Sequence, residues 1–193
     1  MKMRRINAAR TFLCLLLFFI IYVTSGCGTI YKVAVDKRTI DTQLTDEQIT
    51  MAIRQRFVND KAIKLLNFSV YCYDGHVYLV GEYETRAERQ HALTEAKSVQ
   101  GVRDITTYLL PKRKVPKCGT FNNVKLAAYV KAKLIKDMNI RSTNIEVKAV
   151  QCNVVLLGIV GSKDQVEMAI AHARRVEGVR KVISYLKVGG AGH

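Results

Sequence analysis

Proline is almost missing from this chain of 193 residues, with only two, and no polar tract is long. A disordered or low-complexity architecture is therefore excluded, and the 49% hydrophobic content is enough for packed cores. Histidine is scarce as well: His76, His91, His172 and His193 are the only four. None of them stands in a Cys/His spacing that would hold zinc. None combines with serine and an acid into a nucleophile signature. No glycine-rich fingerprint follows a strand, so nucleotide binding has no support. The chain is expected to be a binding protein rather than an enzyme, with no catalytic residues, cofactor, metal or small-molecule substrate. Acidic residues are half as frequent as basic ones, 16 against 31, for a net charge of +15. A long apolar run is lacking too. The longest, Phe12 to Val23, has twelve residues, against the roughly 20 that a spanning helix needs.

That run has a setting of its own. Lys2, Arg4, Arg5 and Arg10 precede it with no acid among them, and small residues follow it. A basic start, a short apolar core and small residues at its end describe a secretory signal. The segment closes on Val23-Thr24-Ser25-Gly26-Cys27. This resembles the lipobox of bacterial lipoproteins in Ser25, Gly26 and Cys27, and departs from it at Thr24, where an aliphatic residue is usual. The resemblance implies that Cys27 is acylated and becomes the mature N-terminus. It also implies sorting to the outer membrane, because Gly28 and not an aspartate follows. Acyl chains would anchor the chain stably, at about 0.8 kcal/mol per buried methylene. With Cys14 removed in the signal, Cys72, Cys118 and Cys152 remain beside Cys27. Cys72 alternates with Phe68 and Val70 and reads as a small core residue. Cys118 and Cys152 are able to pair in an oxidising compartment, although the sequence leaves their distance open.

An internal repeat sets the architecture. Residues 77–109 align without gaps to 154–186 at an offset of 77. Gly81 falls on Gly158, Ala92 on Ala169, Ala96 on Ala173, and Gly101-Val102-Arg103 on Gly178-Val179-Arg180. Each copy reads alike. Thr45-Asp46-Glu47-Gln48 starts a helix on which Ile49, Ile53 and Phe57 recur every four residues. Phe68, Val70 and Cys72 alternate as a strand, Asp74-Gly75 turns, and Val77, Leu79 and Gly81 return. A second helix from Glu84 or Thr85 carries Ala92, Ala96 and Val99 inward, and Val102 to Leu110 forms a third strand. The fold class is α+β: two modules, each α-β-β-α-β, with both helices on one face of a three-stranded sheet. Gly81 and Gly158 are expected at a bulge or a close helix contact.

Tandem modules of this order, with "VYLVG" or "VVLLG" on the second strand and "GVR" before the third, resemble BON domains. With the signal and the lipobox cysteine, the chain resembles the tandem BON-domain outer-membrane lipoproteins over roughly residues 42–188. The organisation is then a signal peptide at 1–26, a tether at 27–44, a first BON domain at 45–110, a basic linker at 111–118, a second BON domain at 119–188 and a tail at 189–193. The resemblance implies a lipid-anchored protein on the periplasmic face of the outer membrane, with its second domain on anionic phospholipid. It implies support of envelope integrity and gathering at division sites.

Charge separates the two copies. The first module carries eight basic and nine acidic groups, whereas linker and second module together carry sixteen and five, a net +11. Folding alone does not require this divergence. On the helix around Asn122 to Lys136, Leu126, Val130 and Leu134 share the inner arc with Ala127. Lys125, Tyr129, Lys133 and Lys136 share the opposite one. Val124, Ala128 and Ile135 form an apolar stripe between them, with Phe121 just ahead and Lys131 at its edge. Apolar side chains bordered by lysines and a tyrosine suit a helix lying on an anionic headgroup layer. The aligned Gln48, Ala52 and Asn59 of the first copy lack that character. An envelope protein partner for the first module, met by an exposed sheet surface, is the second expectation. Nucleic acid is not an expected partner, because export removes the opportunity and the GxxG clamp of KH domains is missing.

Overall fold

The structure, a computed structural model, describes residues 40–114 and 118–189. Side chains of 40–44 and of Phe121 are outside the description, as are the expected signal at 1–26, Cys27 and His193.

Helix α1 (Ile40–Asn59) buries Ile49, Ile53 and Phe57, the three residues at four-residue spacing. It starts ahead of Thr45, where the cap motif places it. Asp46 therefore lies inside the helix, and its carboxylate accepts from the backbone N–H of Asp74 and of Gly75, each at 2.8 Å, at the hairpin turn. Strand β1 (Phe68–Tyr73) follows a single 3-10 turn at Leu65–Asn67 and pairs antiparallel with β2 (His76–Tyr83). Helix α2 (Arg86–Lys97) is capped by Thr85, whose hydroxyl accepts from Glu88 N–H at 3.0 Å, while Glu88 reaches back to Glu84 N–H at 2.6 Å. Strand β3 (Asp104–Pro111) then lies parallel to β2, the arrangement a helical crossover produces. It starts at Asp104 rather than Val102. Val102 N–H still closes the preceding turn on Val99, and Arg103 N–H donates to Gly75.

The second module repeats this with α3 (Thr120–Ile135), β4 (Ile145–Val150), β5 (Asn153–Val160), α4 (Lys163–Arg174) and β6 (Lys181–Val188). Ser162 and Gln165 cap α4 as Thr85 and Glu88 cap α2. Asn123, aligned with Asp46, accepts from Cys152 N–H at 2.9 Å and ties α3 to its hairpin turn in the same way. In each copy the helices cover one sheet face over a separate core.

Gly81 and Gly158 owe their identity to a different neighbour from the one expected. Pairing runs through both positions in register, without a bulge. The close approach comes from the carbonyl oxygens of Asn67 and Asn144, each 1.9 Å from where a Cβ would stand. The 3-10 turn, and not a helix, is what requires glycine.

The two sheets meet through their remaining faces. Tyr78, Val80, Val150, Val155 and Leu157 are buried there, with Tyr71, Tyr73, Tyr108, Leu110, Ile183 and Tyr185 packed around them. The Tyr78 and Tyr185 rings lie 5.4 Å apart, and burial pushes both phenols above their ordinary pKa. Gln151 donates its side-chain amide to Glu82 and to the Pro111 carbonyl, each at 2.8 Å, across this seam. The modules therefore stack as helix, sheet, sheet, helix. The sheet surface of the first module, expected to be open to an envelope partner, is instead the inner face of that stack.

The start of the linker is fastened rather than free. Lys112 N–H extends the sheet onto Tyr83, and its ammonium meets Glu84 at 2.9 Å, beside Lys64 on the same carboxylate. Hydrogen bonds from Lys64 and Lys112 pull the Glu84 carboxyl down to about 2. A carboxyl depressed in the native state adds stability above its ordinary value, and that contribution fades as pH falls toward 2. A carbon-detected NMR titration is expected to find Glu84 titrating well below the ordinary value of a glutamate. Lys112→Met should bring its midpoint upward.

Candidate membrane-facing surface of the second module

Helix α3 shows one face to its core and another to the outside. Leu126, Val130 and Leu134 are at most 6% exposed, whereas Val124 is 64%, Tyr129 52% and Ile135 61% exposed. Lys125, Ala128, Lys133 and Lys136 are exposed with them. The Lys125 ammonium stands 5.5 Å from the Tyr129 ring centroid, a cation–π contact that holds the phenol among the lysines. Tyr129, Lys133 and Lys136 also line one shared surface cavity of about 470 Å³. The structure thus brings together Val124, Lys125, Ala128, Tyr129, Lys133, Ile135 and Lys136.

Lys131 stands apart from these residues. Its ammonium donates to the carbonyls of Ser142 and Ile145, at 2.6 and 2.5 Å, and so joins α3 to β4. Spacing placed it at the stripe's edge, but a lysine stem is long enough to turn inward onto carbonyls of the neighbouring turn and strand. Phe121 contributes backbone to the helix and its side chain is outside the described residues.

Two residues near this face were missed by periodicity. Met138, just past the end of α3, is 99% exposed. Arg175 follows α4 where the first copy has Ser98, and it lines the cavity shared with Lys133 and Lys136. Comparison of the copies position by position was the signal available for them.

The half-buried His172 meets Asp137 at 2.7 Å and, with Asn139, holds that carboxyl below its ordinary value. His91 meets Asp60 in the corresponding place of the first module, at 3.1 Å. His76 bonds Thr106 at 2.7 Å. Among the described residues no three His, Cys, Asp or Glu side chains gather as a metal site. No described helix is long and apolar enough to cross a membrane.

A duplicated α-β-β-α-β unit, with each sheet covered by its helices on one side and by its twin on the other, defines a tandem two-domain α+β protein. The BON domain pattern matches residues 45–110 and 122–190, and the chain belongs to that family. It is 30% identical over 166 residues to the outer membrane lipoprotein DolP of Haemophilus influenzae, covering 86% of each chain. It is 26% identical to the osmotically-inducible protein Y of Escherichia coli, over 97% of this chain and 99% of that one. A 21 kDa hemolysin of Actinobacillus pleuropneumoniae is 27% identical, over 79% of this chain and 78% of the other.

Proposed function

We propose that this protein is a lipid-anchored component of the outer membrane's periplasmic face. Acylated Cys27 holds it in one leaflet, and the outward face of α3 binds anionic phospholipid and so supports envelope integrity. The observation that carries this reading is the combination on α3: three large apolar side chains more than half exposed, set among Lys125, Lys133 and Lys136. Apolar groups reach the acyl boundary while each lysine near an anionic surface adds about 1 kcal/mol. The likeness to an outer membrane lipoprotein supports the compartment, and so does a disulfide between Cys118 and Cys152.

Co-sedimentation with vesicles tests it, using the chain from Gly28, which contains both modules. Phosphatidylglycerol vesicles are expected to bind and phosphatidylcholine vesicles to bind far less. Reversing Lys125, Lys133 and Lys136 to Glu should lower affinity by at least a hundredfold, from about 1 kcal/mol per charge removed and a similar repulsion added. Equal binding to both vesicles, or an unaffected triple variant, would overturn the proposal.

A second reading gives the first module an envelope protein partner. Its support is the exposed pair Met51 and Val58, 61% and 64% exposed on α1, since the sheet face is covered. Photo-crosslinking from position 51 in cells should yield a discrete protein adduct; lipid adducts alone would refute it.

A further inference from the structure

Beside the α3 face lies a notch whose chemistry differs between the two copies. In the first module Arg56 on α1 donates to Glu95 at 3.3 Å and to Ser98 at 2.8 Å, both at the end of α2. The cation is neutralised and its hydrogen bonds are used within the module. At the offset of 77 these positions become Lys133, His172 and Arg175. The carboxylate has gone, and a second permanent cation replaces the serine. Asn59 likewise becomes Lys136. Two adjoining cavities, of about 470 and 560 Å³, both have Lys133, Lys136 and Arg175 in their walls. Among the described residues none of these three cations has an ion pair. Asp137 in the second wall is already bonded to His172, which leaves Glu177 at the rim of the first as the one unpaired acid.

We propose that this notch is the phosphate subsite of the membrane contact. Lys133, Lys136 and Arg175 would receive the phosphodiester of one anionic lipid, while the fully exposed Met138 at its lip enters the acyl region. The inference rests on the lipid-binding reading and goes beyond it, because it assigns a headgroup position and a residue of α4's C-terminal end to it. Three cations converging on one concavity suit a phosphodiester, with the Arg175 guanidinium able to give two parallel hydrogen bonds. A flat basic helix face would attract a membrane without selecting a position on it.

Vesicle co-sedimentation with phosphatidylglycerol, on the chain from Gly28, separates the possibilities. Arg175→Gln is expected to weaken binding about fivefold, the effect of one basic contact at an anionic surface. Lys163→Gln removes an equal charge from the exposed start of α4 and should change little. Glu177→Gln should strengthen binding. The double change His172→Glu with Arg175→Ser, which copies the neutralised first module, should weaken it most. Melting curves of Arg175→Gln, Lys163→Gln and Glu177→Gln should match the parent, whereas the double variant also gives up the His172–Asp137 pair and is read only beside its own melt. Equal losses from Arg175→Gln and Lys163→Gln would overturn the subsite and leave the lipid reading standing. Absence of any binding by the parent chain would remove both. Complete displacement by millimolar inorganic phosphate would assign the notch to the free anion and overturn the lipid assignment.

Discussion

Gly158→Ala is expected to lower the stability of the protein by roughly 3 kcal/mol or more, the upper range for overpacking. A Cβ at this position would sit 1.9 Å from the Asn144 carbonyl oxygen and 3.0 Å from its carbon. Both are backbone atoms of the 3-10 turn Ser142–Asn144, so no side chain can swing aside. Strand β5 is central, bonded to β4 and to β6, and cannot retreat without opening a ladder on each side. Gly81→Ala meets the same obstacle in Asn67 and should do equivalent damage. Gly178 provides the comparison. Its nearest neighbour would be a Leu126 methyl at 3.7 Å, so only its φ of +88° opposes alanine, at about 1 kcal/mol. Thermal melts followed by circular dichroism should rank Gly158→Ala and Gly81→Ala far below Gly178→Ala. The sheets share a buried seam, so each variant should melt in one transition. Equal melting points for all three would refute the close-approach account.

Removing the Cys118–Cys152 disulfide should be comparably severe. The bond spans 34 residues of sequence, and closing such a loop in the unfolded chain corresponds to about 4 kcal/mol. It fastens the segment entering α3 to the turn between β4 and β5. That turn is strained, with Gln151 and Cys152 at φ +50° and +60°, where the first module places Asp74 and Gly75. Neither residue is glycine, so the turn relies on outside restraint: the disulfide and the Asn123 side chain on Cys152 N–H. Gln151 in turn holds Glu82 and Pro111 of the first module. The double variant Cys118→Ala/Cys152→Ala should melt roughly 10 °C lower, at about 2–4 °C per kcal/mol for a protein of this size. Reductant should lower the parent similarly and leave the double variant unmoved. Loss of the clasp would show as faster hydrogen exchange at the Gln151 turn. A drop below about 1 kcal/mol would mean that the cross-link contributes little beyond the contacts around it.

Much of the fold was legible in the order of residues. The offset of 77, the four-residue spacing of Ile49, Ile53 and Phe57, and the Asp74-Gly75 turn were sufficient for the element order and the inner helix faces. The runs "VYLV" and "VVLL" do not alternate as an open sheet would, a sign of burial that the expectation of an exposed sheet surface passed over. Unbroken apolar runs mean burial on both faces. Gly81 and Gly158 showed that something approaches closely without showing what. Lys131 demonstrates the opposite failure, because helical spacing locates a Cβ and says nothing of where a flexible ammonium finds its acceptors.

By itself the sequence determined that this protein is a duplicated α+β module following a basic and then apolar segment, with its positive charge gathered in the second copy. These properties follow from local periodicity and from comparison of one half with the other, both of which are linear quantities. Only the tertiary structure decided that the sheets cover each other, that Cys118 reaches Cys152, and that Arg175 joins Lys133 and Lys136 around one hollow. Those outcomes depend on surfaces that lie far apart along the chain, and no spacing rule within a single element can state which of them will touch.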